Sequence, residues 1–321
     1  MQHNKVKWPR KSAVVISHSP NFHMLLKELL RSYGWKVEDS TSSVKNAISL
    51  VEKAHASLII VDDMVDEPAA GVLRVLLSNP ITCATPIFSF LLDSHVGERD
   101  AIMHIGGNAV AEKPLTPSKF TPAFEGLIAK WESKPFLALR MATHQYIMLG
   151  EEVGHNTIKK LVGIDSVLPM VAQNLSLTYR KRNNIADAEK ILLYALKKHP
   201  KNLGLMLALG ELYLFGAMPK MALRLFTNAQ LTYGESMTLL PDLVQSAIFT
   251  GNYEEAVYWL LKMKKNHWCE GTVSNFLARM LFAEGREFEA EKHLLGGKHH
   301  FRKMKEAWEA SAEAPSMLSA S

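Results

Sequence analysis

The sequence has few cysteines and no long apolar run, and both absences narrow its class. Of its 321 residues only Cys83 and Cys269 are cysteines, one in each half, which excludes a disulfide framework and a thiolate metal cluster. No stretch approaches the roughly 20 apolar residues that a helix needs to cross a bilayer. The apolar run after the basic start is too short for a signal peptide. We therefore expect a cytoplasmic protein without a membrane segment.

The motifs of several enzyme classes are also missing. The sequence contains no glycine-rich phosphate loop, no nucleophile elbow and no HExxH zinc motif. Its 13 histidines include the adjacent pair His299 and His300, but neighbouring side chains on a helix point in different directions and chelate a metal poorly. We expect no enzymatic activity and no tightly bound cofactor.

Acidic residues do not balance the basic ones, and the surplus is local. The net charge is +5, yet the segment 1–133 carries equal numbers of basic and acidic side chains. The densest basic stretch covers residues 292–305. Such a run can contact nucleic acid, but most are solvated helix faces. We do not expect nucleic-acid binding, and a nucleic-acid-associated regulator that uses this stretch stays as an alternative.

The first half of the chain alternates between two kinds of pattern. Short apolar runs rich in β-branched residues predict buried parallel strands at 13–17, 57–62, 86–92 and, more weakly, 108–113. Helical periodicity covers 21–34, 43–54, 69–79 and 117–131, and in the first of these the predicted apolar face comprises Phe22, Leu25, Leu26, Leu29 and Leu30. The alternation predicts an α/β doubly wound parallel sheet, whose working site lies at the carboxyl ends of the strands.

Polar residues follow several of these runs. Ser17 and His18 come after the first run, Asp62 and Asp63 after the second, and Lys113 with Pro114 after the last. With the stretches VVISHSPNFHMLLKELL, SLIIVDD and GGNAVAEKPL, residues 12–132 resemble the response-regulator receiver family, which has a flavodoxin-like fold.

The resemblance implies roles for three of these residues. Asp62 matches the phospho-accepting aspartate, with Asp63 as the runner-up because Gly71 then falls at the usual offset. Lys113 matches the lysine that contacts the phosphoryl group, and a cis peptide bond would precede Pro114. A purely structural alternative also exists, in which the aspartates form a turn or helix cap and Lys113 forms a salt bridge with Asp62.

Three positions depart from the family pattern. Ser17 and His18 replace the acidic pair that holds magnesium, and Leu91 replaces the hydroxyl residue that senses the phosphoryl group. Magnesium prefers oxygen ligands and offsets charge during phosphoryl transfer, so these losses leave at most a weak magnesium site at Asp62. We predict a degenerate receiver that does not switch by ordinary phosphorylation. A switch with residual Asp62 chemistry is the alternative.

The second half of the sequence repeats itself at a constant interval. Ala188, Ala222, Ala256 and Ala290 recur with equal spacing and form one column, and large apolar residues follow four positions later at Leu192, Phe226, Leu260 and Leu294. Small residues occupy most positions twelve before each alanine, at Ser176, Gly210, Val244 and Ala278. This pattern resembles the tetratricopeptide family, an all-α solenoid, over residues 167–297. The predicted domains are a receiver-like domain at 12–132 and a repeat domain with four repeats and a capping helix at 167–311. A helical connector without the repeat register joins them at 133–166.

The resemblance implies a concave groove formed by the first helix of each repeat. Its predicted lining residues are Met170, Gln173, Leu177, Arg180, Leu207, Glu211, Leu214, Gln245, Ile248, Asn275, Arg279 and Phe282. This mixture suits a protein or peptide partner. The last helix and strand of the receiver could in addition support a homodimer. The sequence as a whole predicts a bacterial signalling adaptor of the two-component type.

Overall fold

The computed structural model of this chain describes residues 11–63, 69–92, 99–234, 239–265 and 270–293. Within these ranges a five-stranded sheet is followed by a succession of helices. Cys269, Leu294, the two adjacent histidines, the predicted capping helix and most of the basic stretch 292–305 lie outside the described residues. None of the described helices is both long and apolar enough to cross a membrane.

The sheet contains five parallel strands in the order β2-β1-β3-β4-β5, which is the order of flavodoxin-like doubly wound sheets. Their bounds are β1 (Ser12–Ile16), β2 (Lys36–Thr41), β3 (Leu58–Asp62), β4 (Ile87–Leu91) and β5 (Ala109–Glu112). The four predicted strands are present. The sequence analysis assigned no residues to β2, because this strand lies at the sheet edge and Val37 is its one buried side chain, so no apolar run marks it.

Helices cover both faces of the sheet. They are α1 (Pro20–Ser32), α2 (Val44–Ala54), α3 (Ala69–Leu77), α4 (Arg99–Ile105) and α5 (Pro117–Trp131), and residues of α1 and α5 belong to one apolar core cluster while those of α2, α3 and α4 belong to the other. The short helix α4 was not predicted. One residue of the face predicted for α1 is also wrong: Leu25 is exposed, whereas Phe22, Leu26 and Leu30 are buried.

The rest of the described chain is helical and folds into consecutive packed pairs. The bounds are α6 (Lys134–Leu149), α7 (Glu151–Lys159), α8 (Leu168–Lys181), α9 (Ile185–Lys198), α10 (Leu203–Phe215), α11 (Pro219–Tyr233), α12 (Leu240–Phe249), α13 (Tyr253–Lys265), α14 (Glu270–Ala283) and α15 (Glu287–His293). We refer to residues 168–293 as the repeat region and to residues 11–131 as the sheet region.

The columns of the sequence repeat correspond to packing positions. The four column alanines are completely buried, as are Leu192 and Phe226. At Gly210 the close approach is extreme, because a Cβ atom there would lie 2.2 Å from the ring of Phe226. Small residues therefore let the two helices of a pair approach each other, as the sequence predicts.

The turn inside each pair also follows the period. Asn183, Ala217, Gly251 and Gly285 lie one repeat apart from one another, and all four have positive φ angles, between 55° and 74°. Glycine adopts this conformation at little cost, whereas a side chain with a Cβ atom is strained there. The second pair thus carries a strained alanine at a position that glycine occupies in the third and fourth.

The segment 133–166, which we expected to lack the repeat register, contains a further packed pair, α6 and α7. Ala142, Gly154 and Ile158 lie one full repeat before Ser176, Ala188 and Leu192, and all three are buried. A Cβ atom on Gly154 would lie 2.4 Å from the Cα atom of Tyr146, so this pair also depends on a small residue. Glycine in the alanine column hides this copy from a search for the repeated alanine.

Candidate functional site

The carboxylate of Asp62 lies at the carboxyl end of β3 and is completely buried. The hydroxyl of Ser17, just after β1, donates a hydrogen bond of 2.5 Å to Asp62 Oδ2. The ammonium group of Lys113 forms an ion pair with Asp62 Oδ1. The structure therefore brings together Ser17, Asp62 and Lys113, and both carboxylate oxygens have partners.

Contacts of the backbone and side chain of Lys113 position its ammonium group beside Asp62. The backbone N–H of Lys113 donates to the carbonyl of Leu91 at 2.7 Å, which continues the pairing of β5 with β4. The Lys113–Pro114 peptide bond is cis, as predicted. The Nζ atom lies 5.0 Å from the ring centroid of Phe22, and the side chain is 14% exposed.

The other strand-end residues have different surroundings. Asp63 Oδ2 accepts a hydrogen bond of 2.8 Å from the backbone N–H of Leu92, which ties the end of β3 to the end of β4. The side chain of His18 is exposed. Leu91 is completely buried in the apolar cluster on the side of α2, α3 and α4. One oxygen of Asp63 thus takes part in a backbone contact between two strand ends.

One buried hydroxyl in this region escaped the sequence analysis. Ser89, in the middle of β4, is fully buried, and no described residue forms a hydrogen bond with its Oγ atom. Ser89 pairs with Val61, whereas Asp62 pairs with Phe90. Because successive side chains of a strand alternate between the faces, Ser89 shares the face of Leu91 and points to the opposite face from Asp62. It lies in the middle of β4, two residues before the strand end at which the family resemblance implies a hydroxyl.

The magnesium site that the family resemblance implies is poorly supported by these donors. Its two acidic ligands are Ser17 and His18 here, and both oxygens of Asp62 are engaged by Ser17 and Lys113. In the part of the chain that the structure describes, no group of three His, Cys, Asp or Glu side chains could hold a metal ion. A hard divalent cation needs several oxygen ligands, which these residues do not supply.

A second candidate site lies between the repeat region and the sheet region. A narrow cleft of about 30 Å³ is lined by the first helices of two repeats, α8 and α10, and by α3 with the end of α4. Five of the predicted groove residues line it, namely Gln173, Leu177, Arg180, Leu207 and Glu211. The other seven do not, and among them Gln245, Asn275 and Arg279 are exposed to solvent. We call the surface formed by α8, α10, α12 and α14, the first helices of the repeats, the repeat groove.

The sheet region occupies part of the repeat groove. Arg74, Leu77 and Ser78, in and just after α3, line the cleft from the side opposite α8 and α10. The start of α10 approaches the end of α4 so closely that a Cβ atom on Gly204 would lie 2.6 Å from the carbonyl oxygen of Ile105. A single apolar core cluster continues from the sheet into the repeat helices. The predicted binding surface is therefore partly filled from within the chain.

Two carboxylates of the repeat region bind one arginine of the sheet region. Arg74 Nη2 lies 2.8 Å from Glu211 Oε1 and 2.7 Å from Asp242 Oδ1, and Arg74 Nη1 lies 2.5 Å from Asp242 Oδ2. This fork geometry matches a carboxylate with two parallel hydrogen bonds. Arg180 approaches Glu211 on its other oxygen at 4.0 Å. We call Arg74, Glu211 and Asp242 the arginine clamp.

Burial sets the ionisation of the clamp. The side chain of Asp242 is 4% exposed, and this burial raises its pKa to about 6, while the positive charge of Arg74 opposes the shift. Burial disfavours the charged form of Arg74, but the two carboxylates outweigh it and raise its pKa. Sequence analysis missed Arg74 and Asp242. The sequence signal that could have identified Arg74 is its isolated charge in the otherwise apolar helix AAGVLRVLL.

Comparisons with known proteins leave the family open. No protein family matches the chain, and no curated protein matches it either. Two solved structures of a human IFIT1 dimer are similar, one with m7Gppp-AAAA (16% identity, TM-score 0.40, 82% of this chain and 56% of that one) and one with PPP-AAAA (17% identity, TM-score 0.40, 74% of this chain and 54% of that one). The chain spans about half the length of these proteins. Such a low TM-score assigns no function to it.

Proposed function

We propose that this chain is a non-enzymatic signalling adaptor in which a receiver-like sheet region regulates or docks, and a tetratricopeptide-like repeat region binds a protein or peptide partner. The cleft lined by α8 and α10 is the observation that carries this proposal. It combines apolar residues such as Leu177 and Leu207 with the charged residues Arg180 and Glu211. Such a mixture of anchors and orienting charges is typical of peptide-binding grooves.

Capture of partner proteins by the full chain tests this function. Arg279 is exposed on α14, a groove helix, and Lys190 is exposed on α9, a second helix of a pair. We expect a protein captured by the native chain to be lost with Arg279→Glu and retained with the matched control Lys190→Glu. If both variants retain every captured protein, groove binding is wrong.

For the sheet region we propose a receiver that has lost its ordinary switch. The Asp62 carboxylate is fully buried and bound on both oxygens, and no acidic residue stands at position 17 or 18. The Asp62 oxygen that attacks an incoming phosphoryl group would first have to lose its contact with Ser17 or with Lys113. The fold then serves as a docking unit.

A phosphorylated Asp62 is the second candidate, because the neighbouring Lys113 and Ser17 could contact a phosphoryl group. In that reaction an Asp62 oxygen attacks the phosphorus of acetyl phosphate and acetate leaves. Intact-protein mass after treatment with acetyl phosphate and magnesium measures the product directly. We expect no added phosphoryl group on the native chain. An addition that disappears in Asp62→Ala and persists in Asp63→Ala would instead establish the switch.

A further inference from the structure

The helix α3 presents two different faces. Val72, Leu73 and Leu76 are completely buried in the core cluster that this helix shares with the sheet. Arg74, Leu77 and Ser78 point to the repeat groove instead. Their spacing of i, i+3 and i+4 places them on one side of the helix. The groove therefore recognises α3 through an arginine and a neighbouring leucine, which is the pattern of a helix bound in a groove.

The groove side of this contact is supplied by successive repeats. Glu211 comes from α10 and Asp242 from the first turn of α12, so each of two neighbouring repeats contributes one carboxylate to the same guanidinium. Leu177 of α8 and Leu207 and Leu212 of α10 line the adjoining cleft beside Leu77. Two carboxylates that converge on one point repel each other unless a cation lies between them. This arrangement is built for a positively charged, partly apolar helix.

The sheet region contacts only part of the predicted groove, because Arg74, Leu77 and Ser78 lie beside α8 and α10 and leave a cleft of about 30 Å³. No residue of α14 lines this cleft, and Asn275, Phe276 and Arg279 of that helix are exposed. Phe276 is 46% exposed, which is high for a large aromatic side chain. α3 is nine residues long and spans about 13 Å at 1.5 Å per residue. A longer helix could extend beyond the repeat helices that α3 contacts.

We propose that the repeat groove binds a partner helix that carries an arginine followed three residues later by a leucine, and that α3 occupies the same site in the absence of that partner. This inference rests on the proposed adaptor function, since it gives the chemistry of the partner. A segment tethered within the chain acts at a millimolar effective concentration, so the partner has to compete with α3. Binding of the partner then releases α3 and Arg74 from the repeat region.

A synthetic helical peptide of residues 69–79, made with Arg74 or with alanine in its place, is the probe. The peptide is titrated by fluorescence anisotropy against the full chain and its variants. We expect the Arg74→Ala chain to bind the arginine peptide at least tenfold more tightly than the native chain does, because removing the cis arginine raises the fraction of open groove. Adding Glu211→Gln and Asp242→Asn to that chain should abolish the gain. The alanine peptide should bind the Arg74→Ala chain at least tenfold more weakly than the arginine peptide does.

Equal affinity of both peptides, or no gain with the Arg74→Ala chain, would overturn the inference. Should that variant fail to fold, hydrogen exchange of the native chain gives the answer: excess arginine peptide should accelerate exchange in α3, the alanine peptide should not, and equal exchange with both contradicts the proposal. If the native chain forms a dimer that requires Arg74, the occupant of the groove is a second copy of the chain, and the inference is also overturned. The capture experiment of the proposed function substitutes Arg279, which lies outside the clamp. If capture depends on Arg279 but the peptides fail to bind as expected, this inference is wrong and the adaptor function stands.

Discussion

The sheet region and the clamp each hold a buried carboxylate beside a cation, but the two pairs differ in what they join. Asp62 and Lys113 connect the ends of two strands within one sheet, and Ser17 completes their environment. Arg74 and Asp242 connect two regions that are far apart in the sequence. The two pairs are buried to a similar extent, because the side chains of Asp62 and Lys113 are 0% and 14% exposed and those of Asp242 and Arg74 are 4% and 17% exposed. The first pair lies within one sheet, whereas the second joins the sheet region to the repeat region.

On the proposed mechanism, the first ion pair is structural and the second is regulatory. Breaking a pair inside the sheet leaves an unpaired charge that water cannot hydrate, because the surrounding strands cannot move apart without unfolding. Breaking the clamp lets α3 and the repeat helices separate, so that water reaches Glu211 and Asp242. The two pairs should therefore respond differently to the same kind of substitution.

The largest effect is expected at the strand-end pair. Replacing Lys113 by methionine leaves the fully buried Asp62 with Ser17 as its remaining partner, and we expect a loss of about 3–5 kcal/mol in the free energy of unfolding. Urea denaturation followed by circular dichroism measures it. The double variant Lys113→Met with Asp62→Asn should recover most of the loss. A loss below about 1 kcal/mol, the range of a surface ion pair, would show that Asp62 is not enclosed as described.

The clamp should give a smaller loss with a different signature. For Arg74→Met we expect about 2–3 kcal/mol, because part of the unpaired charge is hydrated once α3 separates from the groove. Hydrogen exchange should increase in α3 and α10 and stay unchanged in β1 and β3. The control Lys36→Met removes an exposed pair with Glu38 and should change stability by less than about 1 kcal/mol. Uniform loss of protection across the sheet would mean that the clamp is a core pair too.

The pH dependence of the clamp provides a third contrast. Burial raises the pKa of Asp242 to about 6, so the folded chain binds this proton more tightly than the unfolded chain does. The contribution of Asp242 to stability is then fully present below about pH 4 and is lost as the pH rises through about 6. A tenfold difference in proton affinity between the folded and unfolded chains corresponds to about 1.4 kcal/mol, and we expect an effect on the order of 2 kcal/mol. Urea midpoints between pH 4 and 7 should show this fall in the native chain and not in Asp242→Asn.

The sequence predicts what is periodic or local and misses what is assembled over a distance. The strands β1, β3, β4 and β5 and the helix pairs from α8 onward follow from apolar runs and from the alanine column, because each signal lies within a short stretch. The edge strand β2 and the short helix α4 bury too little apolar surface to leave such a pattern. The extra pair α6–α7 was hidden because glycine at position 154 replaces the repeated alanine.

The candidate sites divide in the same way. Asp62 and Lys113 were placed at one site because they lie in segments that resemble one family, and in the structure they form an ion pair. Of the twelve groove residues predicted from the repeat register, five line the cleft. Arg74 and Asp242 could not be paired, since no local pattern records how the sheet region docks on the repeats. Their contact depends on the arrangement of whole regions.

The smallest effect is expected in the turns of the repeat region, where neither ion pair contributes. Ala217 has a φ angle of 55° and Gly251, one period later, has a φ angle of 74°. A residue with a Cβ atom is strained by about 1–2 kcal/mol in this conformation, and glycine loses part of that advantage through its freer unfolded state. We therefore expect Ala217→Gly to stabilise the chain by about 0.5–1 kcal/mol and Gly251→Ala to destabilise it by a similar amount.

Thermal unfolding of the two turn variants, each compared with the native chain, measures these changes. Because the turns lie on the repeat side of the arginine clamp, Ala217→Gly should slow hydrogen exchange in α10 and α11 without altering exchange in α3. Equal protection gained in α3 would mean that the repeat region and the sheet region unfold as one cooperative unit. In that case the clamp could not open independently, and the difference between the two ion pairs would disappear.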